Sequence, residues 1–166
     1  MAAALGDLTP EGLRRAFASF PSGVTAIAAI LRGRPLGLVA SSFTPVSLDP
    51  PLVSVCIAHT STTWPALRTA PRFGLSVLAE EHGRVARSLA AKGVDRFAEV
   101  SWERTPQGAV FVPGSALWLD CTRFDEVPAG DHDIVLLCVQ QLWTYPDVPP
   151  LVFHGSKFRQ LRTGDG

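Results

Sequence analysis

Residues 37–53 hold the densest chemistry in the chain. Gly37-Leu38-Val39-Ala40 reads as the end of a strand, and Ser41-Ser42-Phe43-Thr44 follows it directly. A strand that ends in small hydroxyl residues exposes backbone N–H groups and several O–H donors at one spot. Such a spot suits phosphate oxygens or the carbonyl edge of a flat heterocycle. Ala40 is small enough to let a ring approach the backbone. The same residues also make an ordinary Ser/Thr turn after a strand. Ser61, Thr62 and Thr63 precede a short apolar segment at Trp64, where hydroxyls and N–H groups suit a phosphate or simply cap a helix. Arg96 carries a guanidinium able to hold phosphate oxygens bidentately, or to form a surface ion pair with Asp95 or Glu99. His132 sits in a turn between Asp131 and Asp133.

These residues must be positioned by the elements around them. Thr9-Pro10-Glu11 predicts a helix start, with Thr as cap and Pro at the first helical position. Leu13, Phe17 and Phe20 fall on one stripe of that helix, and Pro21-Ser22-Gly23 ends it. Val24 to Leu31 and Leu36 to Phe43 predict a hairpin about an Arg32–Pro35 turn. Ser47 to Pro51 predicts a break. Leu52 to Ala58, nearly all apolar, predicts a strand buried on both faces, with Cys56 in the core. A short helix is expected at Trp64 to Thr69, a strand at Arg72 to Leu78 and an amphipathic helix at Glu80 to Ala91. Further strands are expected at Gly114 to Phe124, Ile134 to Leu142 and Leu151 to His154. Trp64, Trp102, Trp118 and Trp143 read as packing residues, and Cys121 and Cys138 as core. The tail after Leu161 reads as frayed.

Strands outnumber helices and do not alternate with them. Together with 14 Gly and 14 Pro, this predicts a mainly β barrel or sandwich with peripheral helices. The 166 residues suit one domain, 1–166, with a core over about 12–161. Apolar residues make up 46% and charged residues 18%. That excludes disorder for most of the chain and implies that some surface is covered by a second subunit or a cofactor. The 15 basic and 15 acidic residues balance, which argues against a nucleic-acid binder. Three cysteines without a C-x-x-C pair, no long apolar run and no signal-peptide pattern predict a cytoplasmic protein that does not enter a membrane. The sequence contains no G-x-G-x-x-G after the first strand, no P-loop and no G-x-S-x-G. Its four histidines have no metal-ligand spacing, so no metal is expected.

The order of several pieces resembles the flavin reductase family of two-component monooxygenase systems. These pieces are Phe20-Pro21-Ser22-Gly23-Val24-Thr25, Ser41-Ser42-Phe43 with Val46-Ser47 and Asp49-Pro50-Pro51-Leu52-Val53, Asp95-Arg96-Phe97, Gly130-Asp131-His132, and Pro150-Leu151-Val152-Phe153. They run from about residue 17 to about residue 161. Two positions depart from the family pattern. Val39 stands where a Thr is frequent, so a hydroxyl near the ligand is missing. Leu136-Leu137-Cys138 runs on where many members carry a Gly.

The resemblance implies a Greek-key split β-barrel of the FMN-binding type, assembled as a homodimer with flavin in a groove between subunits. FMN or FAD would be held by Val39, Ala40, Ser41, Ser42, Ser61, Thr62, Arg96 and Phe97, with Arg96 at the phosphate. Phe97 would pack against the ring or anchor its loop. His132 would lie on the nicotinamide side and act in catalysis. NADH or NADPH would be the electron donor, and reduced flavin would pass to a partner monooxygenase. The other reading is a flavin-binding split barrel without turnover, serving as a carrier or electron-transfer module.

Overall fold

Strand pairing, more than helix packing, holds this chain together. The computed structural model describes residues 5–162. Its strands are β1 (Ser22–Gly23), β2 (Thr25–Leu31), β3 (Arg34–Ala40), β4 (Thr44–Leu48), β5 (Pro51–Ala58), β6 (Phe73–Val77), β7 (Glu103–Arg104), β8 (Val110–Phe111), β9 (Leu117–Ala129), β10 (His132–Thr144), β11 (Val152–His154) and β12 (Lys157–Arg159). The α-helices are α1 (Pro10–Phe17), α2 (Trp64–Leu67) and α3 (Gly83–Ala90), the last preceded by a 3₁₀ turn at Glu80–His82.

Seven strands form one antiparallel sheet in the order β3-β2-β6-β9-β10-β5-β4. The sheet curls until β3 approaches β5. This is the mainly β split barrel with peripheral helices that the sequence implies. β11 pairs with both β1 and β12 in a small second sheet.

β2 shows how the barrel is packed. Side chains alternate across a strand with period two. Ile27 and Ala29 point into the barrel with Val55, Phe73, Leu75, Val135 and Leu137. Ala26 and Ala28 point outward, beneath Leu78, Ala86, Leu89, Phe97 and Val110. Both faces of the strand are therefore buried. Each fully buried Leu, Ile or Phe contributes about 1.5–3 kcal/mol. β8 crosses so close over β6 that a Cβ at Gly74 would lie 2.1 Å from the Val110 carbonyl oxygen. Only glycine fits there.

Several expectations shift in detail. The first hairpin turns on Arg32-Gly33 alone, so Arg34 and Pro35 already belong to β3. The break expected over Ser47–Pro51 narrows to a turn at Asp49-Pro50, because Ser47 and Leu48 belong to a further strand, β4, and Pro51 to β5. Pro35 and Pro45 lie in the two end strands of the sheet, where a residue without an N–H is tolerated. β9 starts at Leu117 rather than Gly114. It runs on to Ala129 with largely exposed residues, because its far end still pairs with His132–Leu136 of β10, which in turn pair with β5. The short strands β1, β4, β7, β8 and β12 lack a run long enough to show period-two patterning.

α1 is capped as expected. The Thr9 hydroxyl accepts the Gly12 N–H at 3.1 Å. Its apolar stripe does not face this chain's core, since Phe17 and Phe20 are 70% and 77% exposed. Trp64 is buried. Trp118 stacks on Phe111 at 4.9 Å with Trp143 and Tyr145 edge-on, while Trp102 is largely exposed. Cys121 is buried, and burial pushes its thiol up to about 12. Most of the tail expected to fray lies outside the described residues. No helix among the described residues is long and apolar enough to cross a membrane.

Candidate functional site

The end of β3, the end of β5 and the β9–β10 turn meet at one mouth of the barrel. They enclose a cavity of about 460 Å³, a size typical of small-molecule sites. Val39, Ala40, Ser41, Ser42, Ser61, Thr62, Arg96 and His132 all line it. Phe97 does not. It is buried in the outer core cluster, and its N–H donates to Asp95 Oδ1 at 3.0 Å, which anchors the 93–97 loop.

β3 delivers Val39 and Ala40 in register against Ala26 and Thr25. Val39 packs partly into the outer cluster and Ala40 into the barrel core, so both offer apolar surface. Ser42 turns back toward β5. Its hydroxyl accepts the Cys56 N–H at 2.8 Å and donates to the Cys56 carbonyl at 3.3 Å. The Ser61 hydroxyl accepts the Trp64 N–H at 3.1 Å, so the capping role read from the sequence is present.

Arg96 is held by the chain itself. Its Nε donates to the Ala91 carbonyl at 2.6 Å and a terminal nitrogen donates to the Gly37 carbonyl at 3.1 Å. Neither expected carboxylate pairs with it. Asp95 instead pairs with Arg34 at 3.1 Å. Lys92 lines the same cavity, and among the described residues neither Lys92 nor Arg96 forms an ion pair. Two cations held without counter-charge favour an anionic ligand.

His132 opens β10 opposite Ala58 of β5. The turn before it has Gly130 at φ +67°, a conformation that glycine adopts freely. His132 Nδ1 donates to Asp131 Oδ1 at 2.7 Å, which leaves Nε2 free of that bond. That hydrogen bond, and then the imidazole's charge, pull the Asp131 carboxyl below its ordinary range. The His59 N–H donates to the Asp131 carbonyl at 2.9 Å, and His59 Nε2 meets Asp133 Oδ1 at 2.9 Å. The turn is thus pinned to the end of β5.

Half of the lining was not expected from the sequence, and Cys56 and Lys92 are the two unexpected lining residues with chemistry to offer. Cys56 was expected in the core and is exposed at the cavity. Val55 and Ile57 point into the barrel, so the intervening residue points out. Lys92, one of only two lysines, stands four residues before Arg96, and that spacing was its only signal. Apolar walls, hydroxyl donors and unneutralised cations together fit a phosphorylated flat heterocycle.

Comparison with known proteins sharpens this fit. The flavin reductase like domain model matches residues 17–162. The chain belongs to the flavin reductase like family. A stachydrine N-demethylase reductase subunit, Stc3, of Rhizobium meliloti is 43% identical over 74% of the chain. The chain spans about half, 54%, of that relative's length. The reductase subunit HsaB of a flavin-dependent monooxygenase from Mycobacterium tuberculosis is 32% identical over 92% of this chain and 82% of its own. Among solved structures, the Streptomyces globisporus NADH:FAD oxidoreductase SgcE6, in complex with NAD and FAD fragments, superposes with a TM-score of 0.93. It is 34% identical, over 99% of this chain and 100% of that one. Three of the family-like pieces, at Ser41-Ser42, Asp95-Arg96 and Gly130-Asp131-His132, supply cavity residues. The other two form β1 with the start of β2, and β11, and β1 pairs with β11.

Proposed function

We propose that this chain is an NAD(P)H-dependent flavin reductase that supplies reduced FMN or FAD to a separate monooxygenase. The observation that carries the proposal is the convergence of three sequence-distant motifs on one cavity that holds two unneutralised cations. The names of the similar proteins support it. A bound flavin supplies a two-electron acceptor for the hydride of NADH or NADPH. In this reading Val39 and Ala40 give the ring a flat apolar wall, and Ser41 and backbone N–H groups face its polar edge. Ser61, Thr62, Lys92 and Arg96 hold phosphate. His132, oriented by Asp131, presents Nε2 to the nicotinamide side.

We further read residues 1–166 as one such domain, working in the cytoplasm as a homodimer. Phe17, Phe20, Leu142 and Trp143 leave apolar surface uncovered on the single chain, and a second copy would cover it. A stable dimer buries more than about 1,000 Å². The purified protein is mixed with NADH or NADPH and each free flavin, and loss of the reduced-nicotinamide absorbance is followed. Turnover with at least one pair is expected. Flavin binding without oxidation of either donor would replace the enzyme reading with the carrier reading. Sedimentation as a monomer at micromolar concentration would remove the dimer.

A further inference from the structure

His59 holds both chain neighbours of His132. Its main-chain N–H donates to the Asp131 carbonyl at 2.9 Å, and its ring Nε2 meets Asp133 Oδ1 at 2.9 Å. The second contact runs diagonally across the β5–β10 ladder, where Ala58 faces His132 and Ile57 faces Asp133. Diagonal neighbours in a ladder lie within reach of a long side chain. Successive strand residues point to opposite faces. His132 accordingly lines the main cavity, while His59 and Asp133 line an adjoining cleft of about 260 Å³. Neither His59 nor Asp133 lines the main cavity itself.

We infer that His59 and Asp133 are positioning residues for hydride transfer: they fix residues 131–133 from the far face and so hold the His132 ring at the cavity. The inference rests on the reductase reading, in which His132 serves the nicotinamide side. Asp131 sets the rotation of the ring through its 2.7 Å bond to Nδ1. It does not set the ring's place, because Asp131 moves with the same turn and its side chain is 95% exposed. The place of the turn relative to the cavity must come from partners on β5 and the residue after it, and His59 supplies two of them. A group that acts on reacting atoms loses rate when it is displaced by as little as about 1 Å.

The other charged groups of the adjoining cleft are matched to each other. Arg68 donates to both oxygens of the Glu126 carboxylate, at 3.3 and 3.0 Å, and Arg123 reaches the same carboxylate at 3.1 Å. Asp133 is left to His59. Their side chains are 46% (His59) and 27% (Asp133) exposed, so the pair is modest in strength. Its loss should therefore be read in the rate more than in folding.

The test uses the full chain with His59→Ala and Asp133→Ala, each alone and combined with His132→Ala, and with His59→Gln. It measures kcat/KM for whichever of NADH and NADPH the parent oxidises, flavin affinity by fluorescence quenching, and the melting temperature. Each single alanine variant should lower kcat/KM by about threefold to fivefold and leave flavin affinity within about twofold. Added to His132→Ala, neither should lower kcat/KM further, because a residue that acts through the ring has nothing left to place. His59→Gln should recover most of the loss, since its side-chain amide can still donate to Asp133. An unchanged kcat/KM in both single variants would overturn the inference. So would losses that multiply with that of His132→Ala, which mark a general structural role, or a His59→Gln variant as slow as His59→Ala. A fall in flavin affinity in both variants would assign the pair to the flavin's own site and overturn it too. Any of these outcomes in a chain that turns over defeats this inference alone. A folded parent that oxidises neither donor with any flavin defeats the reductase reading itself.

Discussion

Ser42 and Cys56 stand fourteen residues apart and are joined as if by a rung of a sheet. The Ser42 hydroxyl takes both roles, accepting from the Cys56 N–H at 2.8 Å and donating to the Cys56 carbonyl at 3.3 Å. The turn after β3 is thereby fixed to β5 by a side chain, and the neighbouring Ser41 hydroxyl remains available at the cavity.

Ser42→Ala removes that rung and leaves the Cys56 backbone groups without it. It should lower stability by about 1–2 kcal/mol, read as a lower melting temperature. Ser41→Ala should leave the melting temperature unchanged and weaken flavin binding by about 1 kcal/mol. If Ser42→Ala melts like the parent protein, the rung contributes nothing. If Ser41→Ala binds flavin as well as the parent does, the Ser41 hydroxyl has no part in the site.

His132→Ala should lower kcat/KM for NADH by about tenfold, equivalent to about 1.4 kcal/mol of transition-state stabilisation, and leave flavin affinity unchanged. Asp131→Asn keeps the ring but weakens the bond that orients it, so a smaller loss in the same parameter is expected. Loss of flavin affinity with unaltered NADH kinetics would move His132 to the flavin's own site.

Arg96→Met separates phosphate recognition from structure when riboflavin and FMN are compared on one preparation. Riboflavin lacks the phosphate. FMN affinity should fall by about 1.5–3 kcal/mol, as for a hydrogen bond to a charged group, while riboflavin affinity holds. Stability should also drop, because the Ala91 and Gly37 carbonyls lose their donor. Parallel losses for both ligands would show that Arg96 only holds its loop.

His82 makes stability depend on pH. Its Nδ1 accepts the Ala79 N–H at 3.1 Å, which requires an unprotonated nitrogen. Burial lowers its pKa from the ordinary value, against smaller opposing effects of Glu81 and the Pro113 backbone. The folded state therefore binds this proton less readily than the unfolded chain. Its contribution is fully present above about 6.5, the unfolded value, and is lost as pH falls through the lower folded value. His82→Gln keeps an acceptor and does not titrate. The stability of the parent relative to His82→Gln, from urea midpoints, should fall between pH values of about 7.5 and about 5. A constant difference would show that His82 stays neutral, or is equally titrated, in both states.

The sequence by itself determined the features that depend on near neighbours along the chain. The Thr9-Pro10 cap, the Gly130-Asp131 turn and the alternation of β2 side chains between two buried faces follow from backbone conformation over a few residues. The resemblance of the short motifs to a known family pointed to half of the cavity residues. Tertiary structure alone decided what each polar group bonds. Arg96 could have met Asp95 but binds the carbonyls of Gly37 and Ala91 instead. Ser42 faces Cys56 rather than only solvent, and Cys56 leaves the core because Val55 and Ile57 fill it. A hydrogen bond requires its partner within about 3 Å, and spacing along the chain does not specify that distance for residues many positions apart. The short strands β4, β7, β8 and β12 were decided the same way. Each exists because a neighbouring strand or turn offers backbone partners, and its own few residues carry too little pattern to announce it.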